Sequence, residues 1–340
     1  MIEQKPCYIL AIESSCDDTA AAVLKNDLVL SNIIANQTIH EAYGGVVPEL
    51  ASRAHQQNIV PVVDQALKKA GIDKKDLSAI AYTRGPGLLG SLLVGTSFAK
   101  SLSMALNIPL IEVNHLQGHL LSHFIQDEHP TPNFPFLGIT VSGGHTQIVR
   151  VSSHFSLEEL GTTLDDAIGE AFDKCGKVMG LGYPAGPHID RHAKEGNPAA
   201  FKFPIPKAPE LNVSYSGFKT AVINFLHKNQ QKNPSFIEEN LADLCASIQY
   251  TLIEIIFEKI KRAIEHTGIT EIAIGGGVAA NSGLRNKLKD AATKYNWTVH
   301  LPPFAYTTDN AAMIGIVGYF KFNEKRFGAL DQSATARLPL

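Results

Sequence analysis

At 340 residues the chain is long enough for one large or two medium domains with full cores. Its 44% hydrophobic and 19% charged residues describe an ordinary globular protein, and a net charge of −3 gives no global basic field that would announce a nucleic-acid partner, although a local patch can still hold phosphates. Four scattered cysteines (Cys7, Cys16, Cys175, Cys245) with no C-x-x-C pair fit a reducing cytosol better than a disulfide framework or a thiolate zinc site. Met1 to Pro6 carries an acidic residue and runs straight into a strand-like segment, unlike a secretory leader, and no apolar stretch reads as long enough to span a bilayer.

Tyr8 to Ile12 reads as a short apolar strand. Thr19 to Leu24 and Leu28 to Ala35 read as two more, joined by the turn Lys25-Asn26-Asp27. Pro48 to Ala70 has helical periodicity, with Pro48 in the first turn and Gly71 as the stop. A strand at Leu77 to Tyr82, a helix at Leu88 to Leu106 and a strand at Leu110 to Val113 follow, then a helix beginning near His115. The turn-forming run Asp127 to Asn133 reads as a hinge, which predicts one domain over 1–130 and a second over 131–340. After it the chain restarts. Phe136 to Val141 is a strand, Ser142-Gly143-Gly144-His145 a turn, and Thr146 to Val151 a returning strand. Laying Ile12–Thr19 over Ile139–Thr146 puts Ser15 on Ser142 and Thr19 on Thr146, an in-register duplication that predicts two related domains.

Several motifs carry chemistry. His115 and His119, four apart, share one helix face and can grip one transition metal, with His123 a further step along that face. A zinc protease places a glutamate directly after the first histidine, and here that position is Leu116. Asp309, in Thr307-Thr308-Asp309-Asn310, either caps a helix or completes the two-histidine site as its carboxylate. Ser142-Gly143-Gly144-His145-Thr146 offers unobstructed backbone N–H groups to an acyl or phosphoryl oxygen. A strand from Glu271 to Ile274 runs into Gly275-Gly276-Gly277 and a helix through Leu288, which suits a nucleotide, with Asn281 in the first helical turn reaching back to it. Asp173, in a helix over Asp165 to Met179, and Asp190 are candidates for ribose hydroxyls. Gly85-Pro86-Gly87-Leu88 serves either an anion or a close packing partner.

Taken together with His40-x-x-Tyr43-Gly44-Gly45-Val46-Val47-Pro48-Glu49, Phe172-Asp173-Lys174 and Ser214-Tyr215-Ser216-Gly217-Phe218-Lys219-Thr220, these motifs resemble the TsaD family in order, from about Tyr8 to Met313. The resemblance implies an α/β, two-domain fold of the actin, hexokinase and sugar-kinase (ASKHA) type with an interdomain nucleotide cleft. It implies a cytoplasmic transferase that moves threonylcarbamoyl from threonylcarbamoyl-AMP to the exocyclic amine of the adenosine 3′ of the anticodon, in tRNAs reading codons that begin with A, releasing AMP. An ATPase or kinase of the same fold, or a metalloprotease, are the alternatives. It further implies one divalent metal, iron (Fe2+) or zinc (Zn2+), on His115, His119 and Asp309. The nucleotide-acyl ligand is expected on Thr140, Val141, Ser142, Gly143, Gly144, Asp173, Gly186, Asp190 and Asn281. Glu13, Asp17 and His145 are open as the general base. Implied partners are tRNA, a TsaB-like paralogue, a TsaE-like ATPase and an upstream threonylcarbamoyl-AMP synthase, with no membrane. The long helices at Pro48 to Ala70 and Leu88 to Leu106 are the expected paralogue contact. One departure stands out: the family's Tyr-Pro-Gly-Gly-Pro reads Tyr183-Pro184-Ala185-Gly186-Pro187, which puts in question any contact needing bare backbone at Ala185.

Overall fold

The computed structural model describes residues 6–340, so Met1 to Lys5, most of the stretch read against a secretory leader, lie outside the described residues. The chain divides into two compact units, residues 1–131 with 309–340, and residues 132–308.

The first unit opens with β1 (Tyr8–Glu13), β2 (Thr19–Lys25) and β3 (Leu28–Ala35), an antiparallel meander. Its second turn is the two-residue Asn26-Asp27 loop, with Asn26 left-handed at φ 58°. Helix α1 (Pro48–Ala70) starts on Pro48 and stops at Gly71, left-handed at φ 69°. Then come β4 (Ala79–Gly85), α2 (Leu89–Leu106), β5 (Leu110–Asn114) and α3 (His115–Leu121). The strand order is β3-β2-β1-β4-β5, with β4 and β5 parallel to β1. Leu10, Ile12, Val23, Ile80 and Tyr82 pack on one face with Ile59, Val62 and Val63 of α1 and Ala99 of α2. The other face is also covered, which is why the central strands read as continuous apolar runs and not as alternation.

Helix α2 corrects the reading that no apolar stretch is long enough to cross a membrane, since Leu89–Leu106 has the length and composition to do so. In the fold it is a sheet-covering helix. Ser91, Leu92, Gly95, Thr96 and Ala99 are buried, and a Cβ on Gly95 would lie 2.3 Å from Ser14 Oγ.

The second unit repeats the plan. It contains β6 (Phe136–Val141), β7 (Thr146–Ser153), β8 (Ser156–Thr162), α4 (Ile168–Val178), α5 (Ala185–Ala193), α6 (Ser216–Gln230), α7 (Phe236–Glu239), α8 (Leu241–Thr267), β9 (Glu271–Gly275), α9 (Ser282–Tyr295) and β10 (Thr298–His300). Its order, β8-β7-β6-β9-β10, is that of the first sheet element for element. The overlay of the two strand–turn–strand segments also holds in register: Ile12 pairs with Ala21 and Ile139 with Ile148, the two positions it equates. The long helix α8 is buried over most of its length, with Leu252, Ile256 and Ile260 in a core shared with Ile139, Phe172, Phe218 and Ile274.

The chain then returns to the first unit as α10 (Ala311–Asn323), whereas the sequence reading carried the second domain to residue 340. Helix α10 packs against β1, β2 and β4. Small residues let it approach: a Cβ on Gly315 would lie 2.2 Å from Leu24, and one on Gly318 2.6 Å from Ala81. A helix start near Asp309 was legible in the sequence, but the sheet that helix covers was not. The expected helix from Asp165 is also shorter, beginning at Ile168, because Asp165 turns away to accept hydrogen bonds from the N–H groups of Tyr215 (2.8 Å) and Ser216 (3.2 Å) at the start of α6.

Candidate metal centre and nucleotide site

Helix α3 carries His115 and His119. Asn114 caps it, its Oδ1 accepting from Leu116 N (2.9 Å) and Gln117 N (3.4 Å). Gly118, between the histidines, lets α3 settle on α10, where a Cβ would lie 3.1 Å from Ile314 and 3.2 Å from Met313. Asp309 stands just ahead of α10. It is not the helix cap. Asn310 is, accepting from Met313 N at 3.0 Å, which leaves the Asp309 carboxylate to the histidines.

His115 Nε2 lies 3.4 Å and His119 Nε2 3.2 Å from Asp309 Oδ1. Their donor atoms all fall within 4.8 Å of one another. His123 lies beyond α3 in a short 3-10 turn and is outside this group. Glu13, at the end of β1 and fully buried, holds the other side of His115: its Oε2 is 3.1 Å from His115 Nδ1 and accepts from Thr83 Oγ1 at 2.5 Å, while its Oε1 accepts from Ser15 N at 2.5 Å. A carboxylate on Nδ1 fixes the tautomer that turns Nε2 toward an ion. His119 Nδ1 is buried with no hydrogen-bond partner among the described residues, so its ring lacks that second anchor.

Burial opposes charge on His115, but the Asp309 and Glu13 carboxylates outweigh it and hold the imidazole well above its usual range. Burial likewise works against Asp309, yet His115 and His119 hold it well below the carboxylate range. Burial alone dominates at His119 and pushes it down. An imidazole held between two carboxylates is an arrangement whose charge a divalent ion would also satisfy. The donor set, two imidazole nitrogens and one carboxylate oxygen, fits a single metal.

Sequence reasoning missed Thr83, Ser15 and Asp18. Burial, then the neighbouring Asp17, Asp309 and Glu13 carboxylates, push Asp18 up to about 8. Ser15 is held by backbone fit: a Cβ on Gly87 would lie 2.4 Å from the Ser15 carbonyl oxygen, which accepts from Leu88 N at 2.7 Å. Gly87 therefore serves close packing, one of the two readings its motif left open.

The second unit brings its own predicted residues together around two turns. In the β6–β7 turn, Ser142 N donates to the His145 carbonyl at 2.8 Å, and a Cβ on Gly143 or Gly144 would meet nothing within 4 Å. Gly276, left-handed at φ 95°, and Gly169 of α4 both close on this turn: a Cβ on Gly276 would strike Val141 O at 2.5 Å, and one on Gly169 would strike Ser142 O at 2.7 Å. Thr140, beside the turn, has a buried hydroxyl with no partner among the described residues.

Asn281 lies at the cap of α9 and not in its first turn as expected. Its Oδ1 accepts from Leu284 N at 3.0 Å and its Nδ2 donates to Gln249 Oε1 at 2.7 Å, so both ends of the amide are engaged within the unit. Asp190 Oδ1 accepts from Ser282 Oγ (2.7 Å) and Ser282 N (3.2 Å). Asp173 Oδ1 accepts from Ala185 N at 2.7 Å, and burial raises its carboxyl above the usual range against the Ala185 and Gly186 N–H groups. Ala185 is itself buried and its methyl points at Gly176, where a Cβ would lie 2.2 Å away. The departure from glycine at 185 is thus absorbed by α4, and the backbone N–H at this position stays in use. Lys219 and Lys174 both bind Asp166, at 2.6 Å and 2.9 Å, which gives the Ser214–Thr220 motif a structural role in tying α6 to the approach of α4.

With this geometry in view, the sequence model of the TsaD family, described as tRNA N6-adenosine threonylcarbamoyltransferase, matches residues 28–316. The chain belongs to that family. Its relatives include the tRNA N6-adenosine threonylcarbamoyltransferase of Christiangramia forsetii, 64% identical with 99% of each chain covered. That of Phocaeicola vulgatus is 55% identical, covering 98% of this chain and 99% of its own. The protein is therefore a transferase of tRNA modification. Among solved structures, full-length HypF in its phosphate- and nucleotide-bound form superposes with a TM-score of 0.61 at 14% identity, over 98% of this chain and 48% of that one. Component A of the Acidaminococcus fermentans (R)-2-hydroxyglutaryl-CoA dehydratase superposes with a TM-score of 0.54 at 15% identity, over 94% and 99%. At these identities the likeness is one of fold, and it places the chain among the ASKHA-type α/β folds.

Proposed function

We propose that the chain transfers threonylcarbamoyl from threonylcarbamoyl-AMP to the exocyclic amine of the adenosine 3′ of the anticodon, in tRNAs reading codons that begin with A, with AMP as the leaving group. The observation that carries this reading is the convergence of His115, His119 and Asp309, with Glu13 behind His115, in a chain of this family. A divalent ion held there, iron or zinc, supplies Lewis acidity toward a carbonyl oxygen and charge opposite a developing oxyanion. The protein's own part is to aim His115 through Glu13, to keep the ligands dry, and to hold the acyl donor.

The open backbone at Gly143 and Gly144 suits the phosphate or the threonine carboxylate, since N–H groups without side chains can approach an anion closely. Thr140, Val141 and Ser142 line the same turn. Asp173, Gly186, Asp190 and Asn281 frame the nucleoside, acting mainly by fixing the starts of α5 and α9. The oxygens of Glu13 are committed to neighbours, which leaves Asp17 and His145 as candidates for taking the proton from the attacking amine. The exposed apolar side chains Val60 of α1 and Leu89, Leu93 and Met104 of α2 support docking of a TsaB-like paralogue there. A TsaE-like ATPase, an upstream threonylcarbamoyl-AMP synthase and a cytoplasmic setting complete the reading.

The test is a single-turnover reaction with threonylcarbamoyl-AMP, unmodified tRNA and the two partners, comparing wild type with His115→Ala. Modified adenosine from wild type and almost none from the variant is expected. Equal product from both would remove the metal from the mechanism, and no product from either would overturn the transfer reading.

A further inference from the structure

The Gly85 end of the Gly85-Pro86-Gly87 turn packs against distant backbone. A Cβ on Gly85 would lie 2.1 Å from the carbonyl oxygen of Thr335, so this glycine makes room for the backbone of a segment 250 residues later in the chain. That segment is tied down at several points. Gly328 N donates to Leu110 O at 2.7 Å, Lys100 Nζ to Gln332 O, Arg84 Nε to Ser333 O at 3.0 Å, Thr335 N to Arg84 O at 3.0 Å and Gly87 N to Ala336 O at 3.2 Å. It ends on Asn114, whose Nδ2 donates to the carbonyls of Leu338 (3.3 Å) and Pro339 (2.9 Å).

Asn114 is the residue before His115, and its other amide atom caps α3. The two halves of the amide have opposite tasks. Only the oxygen can accept from Leu116 and Gln117, and only the nitrogen can donate to two carbonyls, so the side chain is locked in one orientation. Helix α3 is seven residues long, too short to be stable alone, and its direction depends on what holds its ends. Its far side rests on α10 through Gly118, and its start rests on Asn114.

We propose that residues 332–339 form a strap that, through Asn114, sets the position of α3 and so the spacing of His115 and His119 from Asp309. Arg84, Gly85 and Asn114 are positioning residues in this device. None of them touches the reacting atoms. The proposal rests on the reading that these three ligands hold a metal, and the experiment separates the two.

The full-length protein, stripped of metal, is titrated with Co2+ and followed by its visible absorption bands. The variants are Asn114→Asp, removal of Leu338–Leu340, and the two combined, with His115→Ala as the control. Asn114→Asp keeps the oxygen that caps α3 and loses the donor to the strap. Each change is expected to weaken Co2+ binding about tenfold and alter the band shape, as loss of a ligand-orienting contact does. The combination is expected to be no weaker than either alone, because both remove the same contact. In metal-free protein, amide hydrogen exchange at Leu116 to His119 is expected to quicken in both. Wild-type Co2+ affinity and exchange in both single variants would overturn the strap, and so would losses that multiply in the combination. If wild type and His115→Ala bind Co2+ alike, the metal reading fails instead, and the exchange at α3 then decides the strap by itself.

Discussion

Replacing Glu13 by Gln tests whether the metal centre is built from the carboxylate outward. The side chain is fully buried, 3.1 Å from His115 Nδ1, and accepts from Thr83 Oγ1 and Ser15 N at 2.5 Å each. Glutamine keeps the shape and removes the charge. Its oxygen can serve Ser15 N or His115, but not both from one side of the amide, and its NH2 group must face a former donor. Thr83 can rotate its hydroxyl to accept, so the fold is expected to lose only about 1–2 kcal/mol, the range for one compromised buried hydrogen bond. The larger effect falls on His115. Without the carboxylate its Nδ1 proton is no longer fixed and the ring is free to present the wrong nitrogen. Loss of such a partner weakens metal binding roughly 10- to 100-fold, which is about 1.4–2.7 kcal/mol. Calorimetric titration of the metal-free protein with Zn2+ reads this directly. Ser15→Ala serves as the comparison, because Ser15 Oγ is also 3.1 Å from His115 Nδ1 but carries no charge, and should weaken binding much less. Zn2+ affinity equal to wild type in Glu13→Gln, with the protein folded, would refute the assignment of Glu13 as the orienting group.

Gly176→Ala forces a methyl to within 2.2 Å of Ala185 Cβ and should cost about 1–3 kcal/mol in urea denaturation, most of it recovered by adding Ala185→Gly. Recovery by the second change is the informative result, since an independent defect at 176 would persist. Gly118→Val should wedge α3 away from Ile314 and Met313, destabilising by about 1–3 kcal/mol and weakening Zn2+ binding; unchanged affinity would mean α3 does not depend on α10 for its place. Asp166 supplies a pH dependence. Burial opposes its charge, but hydrogen bonds from Lys219 and Lys174 outweigh this and hold its pKa below the usual carboxylate value. A depressed folded-state pKa contributes stability that is fully present above the unfolded value near 4 and is lost as pH falls through the folded one. Lys219→Met should therefore lower the melting temperature at pH 7 and narrow its gap to wild type below about pH 4; a gap independent of pH would show that the pair contributes through packing alone.

Much of this protein is local and could be read along the chain. The elements from β1 to α3 follow from apolar runs bounded by Asn26, Pro48 and Gly71, because turns, caps and periodicity act over a few residues. The duplication was legible because a strand–turn–strand repeats its hydroxyl and apolar positions in register, and the two sheets bear the same order. His115 and His119 were legible as a pair because one helical turn alone sets their spacing.

What only the tertiary structure decided involves residues far apart in sequence. Glu13 sits about 100 positions before His115, and nothing near either announces that a buried carboxylate will meet the imidazole. Asn281 and Asp173 each accept from a backbone N–H at a helix start, and which N–H each one meets depends on the packing of the second unit. Asp309 follows the second sheet in the chain but belongs with the first, because α10 crosses back and buries Gly315 and Gly318 against Leu24 and Ala81. The sequence by itself determined the two halves of the fold and the two imidazoles. The meeting of Asp309 with His119 and of Glu13 with His115 was decided by packing, since a contact spanning 190 residues depends on which faces of the sheet the chain must return to cover.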